Sequence, residues 1–203
     1  MNFRLLLFQV FLFCLPGFCL NHLSGQSTNN LRFDNISKAN GLSSNYINDI
    51  VKDNFGFIWI ATNDGLCRYD GPDKITVFKA DSTNHQNGLV SSYIQTLFLD
   101  SHSNLWIGTR FGGLTRYDQK NNEWKTFLHD VKDEQTINHN EVLSIAEDGQ
   151  QRIWVGTETG LNLFESRTQT FRRYNADGQT PNSLKGKAVL SIFFDNKGSK
   201  VLG

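Results

Sequence analysis

The sequence predicts an all-β protein: a β-propeller of four-stranded blades, of which about three and a half are present in 203 residues. Three observations carry the prediction. One segment is repeated four times, and its anchor tryptophans Trp59, Trp106 and Trp154 stand 47 (106−59) and 48 (154−106) residues apart. Every copy holds short strand-like runs divided by turn residues. No stretch between them keeps a helical period over three turns. A repeat of about 40–50 residues with four antiparallel strands is a propeller blade, and such a period decides the architecture before single residues are weighed.

Residues 1–25 come first and differ from the rest. Asn2-Phe-Arg4 supplies one positive charge, Leu5 to Leu15 is apolar but for Gln9, and Pro16-Gly17 breaks the run before small or polar residues reach Ser24-Gly25-Gln26. That order predicts an export signal peptide, cut between Cys19 and Gln26. The run falls short of the ~20 apolar residues of a membrane span. Cys19 follows Phe18 rather than the small residue that a lipoprotein signal places there. Cleavage leaves Cys67 as the one cysteine, expected as a half-buried strand thiol, with no internal disulfide and no cysteine metal site.

The propeller is expected over 31–203. Leu31-Arg-Phe-Asp-Asn-Ile36 alternates like a strand and reads as a leading outer strand that would complete a final blade. Blades then fall near 40–80, 87–129, 137–175 and 183–203. The first opens Asn40-Gly-Leu-Ser-Ser-Asn-Tyr-Ile and offers strands Tyr46–Lys52, Phe57–Thr62, Leu66–Tyr69 and Ile75–Lys79. The second opens Asn87-Gly-Leu-Val-Ser-Ser-Tyr-Ile and offers Tyr93–Leu99, Leu105–Thr109, Leu114–Tyr117 and Trp124–Leu128. The third opens Ile137-Asn-His-Asn-Glu-Val and offers Val142–Glu147, Ile153–Thr157, Leu161–Phe164 and Phe171–Tyr174. The fourth opens at Ser183 and stops at Lys200-Val-Leu-Gly203, inside the strand that carries tryptophan elsewhere. The chain is therefore expected to be the first part of a longer protein.

Recurring residues have structural explanations. Each first strand leads to Asp53, Asp100, Asp148 or Asp195, whose carboxylate can accept from amides two residues on while a Gly or Asn takes positive φ. Ala61, Gly108, Gly156 and Gly203 follow the Trp-aliphatic pair, where a small residue permits close approach of strands or blades. The tryptophans are expected between facing blades. The next hairpin reads Asn63-Asp-Gly65, Arg110-Phe-Gly-Gly113 and Glu158-Thr-Gly160, with one extra residue in the second copy. Positions that the fold requires should repeat, so these diverging ones are free to vary or to bind something. Asn63, Asp64, Arg110 and Glu158 are accordingly the candidate ligand-binding residues, on loops at a propeller face.

Twenty basic and twenty acidic residues give a net charge of zero, which leaves nothing to attract nucleic acid. Arg172-Arg173 and Lys185-Gly-Lys187 read as solvated loop charges. No carboxylates converge as a calcium loop requires. His22, His85, His102, His129 and His139 show no ligand spacing. Neither phosphate loop nor nucleophile elbow is present. No metal, cofactor or catalytic residue is expected.

Asn40–Ser44, Asp53–Thr62 and Gly65–Asp70, recurring as Asn87–Ser91, Asp100–Thr109 and Gly113–Asp118, resemble the two-component regulator propeller repeat. The third copy departs from it at Asn138-His-Asn140 and at Gly160-Leu-Asn-Leu-Phe-Glu165, and the fourth has Val201 where tryptophan belongs. The resemblance covers 31–203. It implies seven-bladed propellers on the periplasmic side of a Gram-negative inner membrane, one membrane helix beyond them, and a cytoplasmic histidine kinase. It also implies a homodimeric parent that senses oligosaccharides. Because the family's ligand contacts follow no motif, no binding residue carries over by position.

The expected function is thus the ligand-sensing periplasmic region of a two-component sensor, with no nucleic acid bound here and the membrane reached only through later segments. The alternatives are a freestanding secreted propeller that binds proteins as a scaffold, and a propeller glycoside hydrolase or lyase. The last would need two carboxylates set across one sugar bond, and no such pair stands out. The fragment is expected to fold poorly alone, since propellers gain stability from neighbouring blades and its last strand would be an open edge.

Overall fold

The computed structural model describes residues 34–71, 74–81, 88–176, 183–195 and 200–202. The expected signal peptide, residues 31–33 of the leading strand, Asn87 and Gly203 lie outside them. The chain divides into Met1–Asp34 and Asn35–Gly203. Of the first unit only Asp34 is described, and everything below belongs to the second.

That unit is built of strands, with one 3-10 turn at Lys38–Asn40 closed by Gly41 at φ 106°. The first blade is β1 (Ile47–Lys52), β2 (Ile58–Thr62), β3 (Gly65–Tyr69) and β4 (Ile75–Phe78). The second is β5 (Ile94–Leu99), β6 (Asn104–Thr109), β7 (Leu114–Asp118) and β8 (Glu123–Phe127). The third is β9 (Val142–Glu147), β10 (Ile153–Thr157), β11 (Gly160–Glu165) and β12 (Thr170–Tyr174). Each is a four-stranded antiparallel meander in chain order. A two-stranded sheet, β13 (Ile192–Phe194) with β14 (Lys200–Leu202), begins a fourth. Residues 35–36 of the expected leading strand are irregular.

The strands follow the sequence runs closely, and the small differences have local causes. Tyr46 and Tyr93 fall just outside β1 and β5 because their amides donate to Ser44 Oγ (3.0 Å) and Ser91 Oγ (3.2 Å). In the third blade His139 Nδ1 accepts the Glu141 amide at 3.0 Å, so the odd-looking Asn-His-Asn keeps the same cap with other chemistry. Each first strand also carries a register shift near its start, between Ile47 and Asp49, Ile94 and Thr96, and at the partners Val142 and Ser144. One extra residue there twists the strand end.

The three aspartates do more than turn the chain. Asp53 Oδ1 accepts the Phe55 and Phe57 amides, both at 2.9 Å, and Oδ2 accepts Trp59 Nε1 at 2.7 Å. Asp100 and Asp148 hold Trp106 and Trp154 in the same way, each at 2.8 Å. The tryptophans are almost fully buried and face the next blade, Trp59 edge-on to Tyr117 (5.8 Å) and Trp106 edge-on to Phe164 (5.0 Å). Each aspartate thus supplies the acceptor that a buried indole N–H requires. Positive φ falls on Gly56, as expected, but on Ser103 (70°) and Gln151 (60°) in the other two turns, not on Asn104 or Gly149. Asp195 follows β13, and the turn after it lies outside the described residues.

Blades approach closely where the small residues stand. A Cβ on Gly108 would come within 2.6 Å of Val142 Cγ1, and one on Gly156 within 2.5 Å of the Val189 carbonyl. Packing across the seams is repetitive, and exposure marks the seam that is left open. Leu97 and Ile145 are buried by the preceding blade (6% and 8% exposed), whereas Ile50, at their place in the first blade, is 56% exposed.

Two sequence expectations need correction. Cys67 is fully buried rather than half-buried, because Ser43 from the blade's opening loop folds over it, Oγ to Sγ 3.2 Å. Arg172 and Arg173 lie on β12, not on a loop. Arg173 is pinned: its guanidinium donates to the Thr136 carbonyl (2.7 Å), Thr136 Oγ1 (2.7 Å) and the Asp133 carbonyl (2.8 Å), tying down loop 130–137.

Candidate functional site at the hairpin face

The hairpins between the second and third strands of the first three blades meet the beginnings of the first strands. Thr62 pairs with both Ile47 and Gly65, and Ile94 and Val142 pair with Thr109 and Thr157. Each of these buried threonines closes its hairpin, donating to the carbonyl of Gly65 (2.8 Å), Gly113 (3.0 Å) or Gly160 (3.0 Å). That lock at the end of Trp-aliphatic-small-Thr fixes the loops rigidly. A rigid scaffold presenting variable loops is the usual home of a binding site.

The four sequence candidates all stand on these hairpins, in different roles. Asn63 Oδ1 accepts Asn48 Nδ2 at 2.8 Å, and the same Nδ2 donates to the Ile94 carbonyl at 2.6 Å, so Asn63 holds the Asn48 amide that stitches the first blade to the second. Asp64 pairs with Lys79 at 2.8 Å, both side chains half exposed. Glu158 is exposed. Arg110 is the most engaged with groups that face solvent. Its Nε stands 3.7 Å from Glu141 Oε1, across the seam to the third blade. Its guanidinium carbon lies 5.3 Å from the Tyr93 ring centre and 5.4 Å from that of Phe111.

Tyr93 and Phe111 meet edge to face, centroids 6.2 Å apart. Phe111 is 68% exposed and Tyr46, at the place of Tyr93 in the first blade, 72%. The extra residue of the second hairpin lengthens the loop that carries Phe111. The longer loop closes over the blade's opening segment, where a Cβ on Gly112 would meet Ser91 Cβ and N at 2.8 Å, and Gly113 takes φ 67°. The face therefore presents an exposed ring, Phe111, against a part-buried one, Tyr93, with a guanidinium near both and a carboxylate beside it. Apolar ring surface kept in water is costly unless something covers it. Tyrosine, aromatic anchors and arginine are the residues that carry binding energy at contact surfaces.

Tyr46, Tyr93, Phe111 and Glu141 were not among the sequence candidates. The signal existed: tyrosine repeats before the first strand in two copies, and the loop insertion had been visible in the spacing. Glu141 gave none, since only the seam brings it to Arg110. Among the described residues no three His, Cys, Asp or Glu are grouped to hold a metal, and no helix is long and apolar enough to cross a membrane.

Residues 41–64, 88–111 and 136–159 match the two-component regulator propeller. An extracellular domain ascribed to a hybrid two-component system of B. thetaiotaomicron superposes with TM-score 0.76 at 24% identity, over 84% of this chain and 23% of that one. A second such domain from B. thetaiotaomicron gives 0.65 at 26% identity, over 80% and 21%. This chain thus spans less than a quarter of their length. A virginiamycin B lyase from Staphylococcus aureus shares the fold at 15% identity, TM-score 0.57, over 77% of this chain and 48% of that one. No curated protein matches the chain.

Proposed function

We propose that this chain, whose three blades are two-component regulator propeller repeats, is part of the exported ligand-sensing region of a two-component sensor, and that it reads an oligosaccharide at the hairpin face. The carrying observation is the cluster of exposed Phe111 and Arg110 with part-buried Tyr93 and Glu141. A sugar ring has an apolar C–H face and a rim of hydroxyls. The first suits the two aromatic rings, and the second suits a guanidinium and a carboxylate held side by side. The repeats and the likeness to extracellular domains of two-component systems support the sensor reading and an extracytoplasmic setting.

Signalling then follows from differential affinity. A ligand that bridges loops of two blades, or a blade and a second copy of the protein, favours the arrangement in which all its contacts exist. It shifts the equilibrium only by its preference for that arrangement. A homodimeric, membrane-anchored parent would carry the shift to its kinase. Transcription of the responsive genes, followed on a panel of purified oligosaccharides, tests this. Phe111→Ala and Arg110→Ala are expected to abolish the response at normal protein levels. An unchanged response in both variants would remove the hairpin face from signalling.

A further inference from the structure

The seam between the second and third blades holds a polar cavity, at the aspartate-turn end of the strands. Its volume is about 410 Å³, within the range of small-molecule sites. Arg116 on β7 reaches in from one side, with Asn104, and Gln150, Gln151 and Ser166 line the other. The Arg116 guanidinium lies over the Trp106 ring, 5.9 Å from its centre, and its buried Nε has no hydrogen-bond partner.

The first blade shows what that position ordinarily does. Arg68 stands opposite Trp59 as Arg116 stands opposite Trp106. Arg68 grips Asp70 with both arms of its fork, Nε–Oδ1 2.9 Å and Nη2–Oδ2 3.2 Å. The second blade keeps an aspartate at the same place, but Asp118 is used elsewhere. Its Oδ1 accepts the Lys120 and Asn121 amides (2.9 and 3.2 Å) and its Oδ2 the Asn121 side chain (2.8 Å). A carboxylate-gripping fork thus remains, fixed on an indole: Asp118 lies near enough to feel its charge but spends its oxygens on other hydrogen bonds, and no ion pair joins the two.

We propose that this cavity binds a sugar acid, a polyhydroxylated carboxylate of monosaccharide size, whose carboxylate pairs with the Arg116 guanidinium as Asp70 pairs with Arg68. A planar guanidinium recognises a carboxylate through paired hydrogen bonds. The side-chain amides of Gln150 and Gln151 and the Ser166 hydroxyl meet the ring hydroxyls. The other charges in the wall are largely accounted for. Arg152 is paired with Asp148 (2.7 Å), and the Asp100 carboxylate accepts two amides, the Asn104 side chain and the Trp106 indole. His102 is exposed at the rim. Glu165, also at the rim and exposed, opposes an anion and tunes the affinity downward. The site is separate from the hairpin face and does not rest on it.

Calorimetric titration of the intact protein with galacturonate and glucuronate, against galactose, glucose and acetate, tests the proposal. Both uronates are expected to bind saturably, and their neutral counterparts and acetate about tenfold more weakly or worse. Arg116→Gln should weaken uronate binding about tenfold or more with an unchanged near-ultraviolet dichroism spectrum, and Arg116→Lys should restore only part of it. Glu165→Gln should tighten it, and Phe111→Ala should leave it unchanged. Equal affinity for a uronate and its neutral sugar, indifference to Arg116→Gln, acetate binding as well as uronate, or loss of uronate binding in Phe111→Ala would each overturn it. Failure of the hairpin face to bind oligosaccharide would leave these results untouched.

Discussion

Replacing Asp100 by alanine isolates the device that the three four-stranded blades share. The carboxylate of Asp100 accepts from the His102 amide (3.0 Å), the Asn104 amide (2.7 Å), Asn104 Nδ2 (2.8 Å) and Trp106 Nε1 (2.8 Å). Trp106 is 1% exposed, so its indole N–H finds no water once the acceptor is gone. An orphaned buried donor costs about 1–3 kcal/mol, while each turn amide, able to reach solvent, loses about 0.5–1.5 kcal/mol. Asp100→Ala is therefore expected to destabilise by about 2–6 kcal/mol. Trp106→Phe keeps a ring against Phe164 but removes the donor, at about 1–3 kcal/mol. In the double variant no indole remains to be orphaned. Its cost should fall short of the sum of the singles by about 1–2 kcal/mol. Urea unfolding of the four proteins measures the cycle, and exchange of the Trp106 indole proton should be faster in Asp100→Ala. Additivity within about 0.5 kcal/mol, with indole exchange unchanged, would refute the claim that the aspartate holds the buried tryptophan.

The remaining predictions concern the seams and the acid response. Gly156→Ala should cost about 1–3 kcal/mol, since its Cβ would meet Ser144 Oγ at 2.3 Å and the Val189 carbonyl at 2.5 Å. Gly149→Ala, with nothing within 4 Å of the new carbon, should be close to neutral in the same melts. In the 203-residue chain Leu97→Ala should cost about 2–5 kcal/mol and the more exposed Ile50→Ala clearly less, measured by urea midpoint; equal costs would mean that the first blade's open face is covered. Burial pushes the Asp148 carboxyl up, but the Trp154 indole and the amide and guanidinium of Arg152 pull harder, holding it below the ordinary carboxylate range. A group depressed in the folded state contributes stability above its unfolded value of about 3.9 and loses it as pH falls further. Acidification below about pH 4 should lower the unfolding midpoint, and less steeply in Asp148→Asn.

Most of the fold was legible in the sequence because its strongest signals are periodic. Val142–Glu147 and Ile153–Thr157 come out as β9 and β10 residue for residue. The first strands begin one residue later than expected where Ser44 and Ser91 take the tyrosine amides, a local competition that strand propensity does not express. Asp53, Asp100 and Asp148 form the turns that their place in the repeat predicts. Their hold on Trp59, Trp106 and Trp154, six residues on, needs the curl of the turn in three dimensions. The candidate site was half legible. Divergence from the repeat singled out Arg110, but Asn63 diverged for a structural reason, to bridge to Asn48. Glu141 and the bare fork of Arg116 depend on which blades adjoin and on what Asp118 bonds instead. Neither leaves a mark on spacing.

The central claim is that the hairpin face binds carbohydrate through the aromatic-arginine cluster. The most direct measurement is saturation-transfer NMR of the purified protein with a panel of neutral oligosaccharides, repeated on Phe111→Ala and Arg110→Ala. The account predicts that at least one oligosaccharide receives saturation at its ring C–H protons, and that both substitutions extinguish the signal while Glu158→Ala reduces it less. Transfer that persists in Phe111→Ala and Arg110→Ala, or its absence across the panel for the unaltered protein, would contradict it.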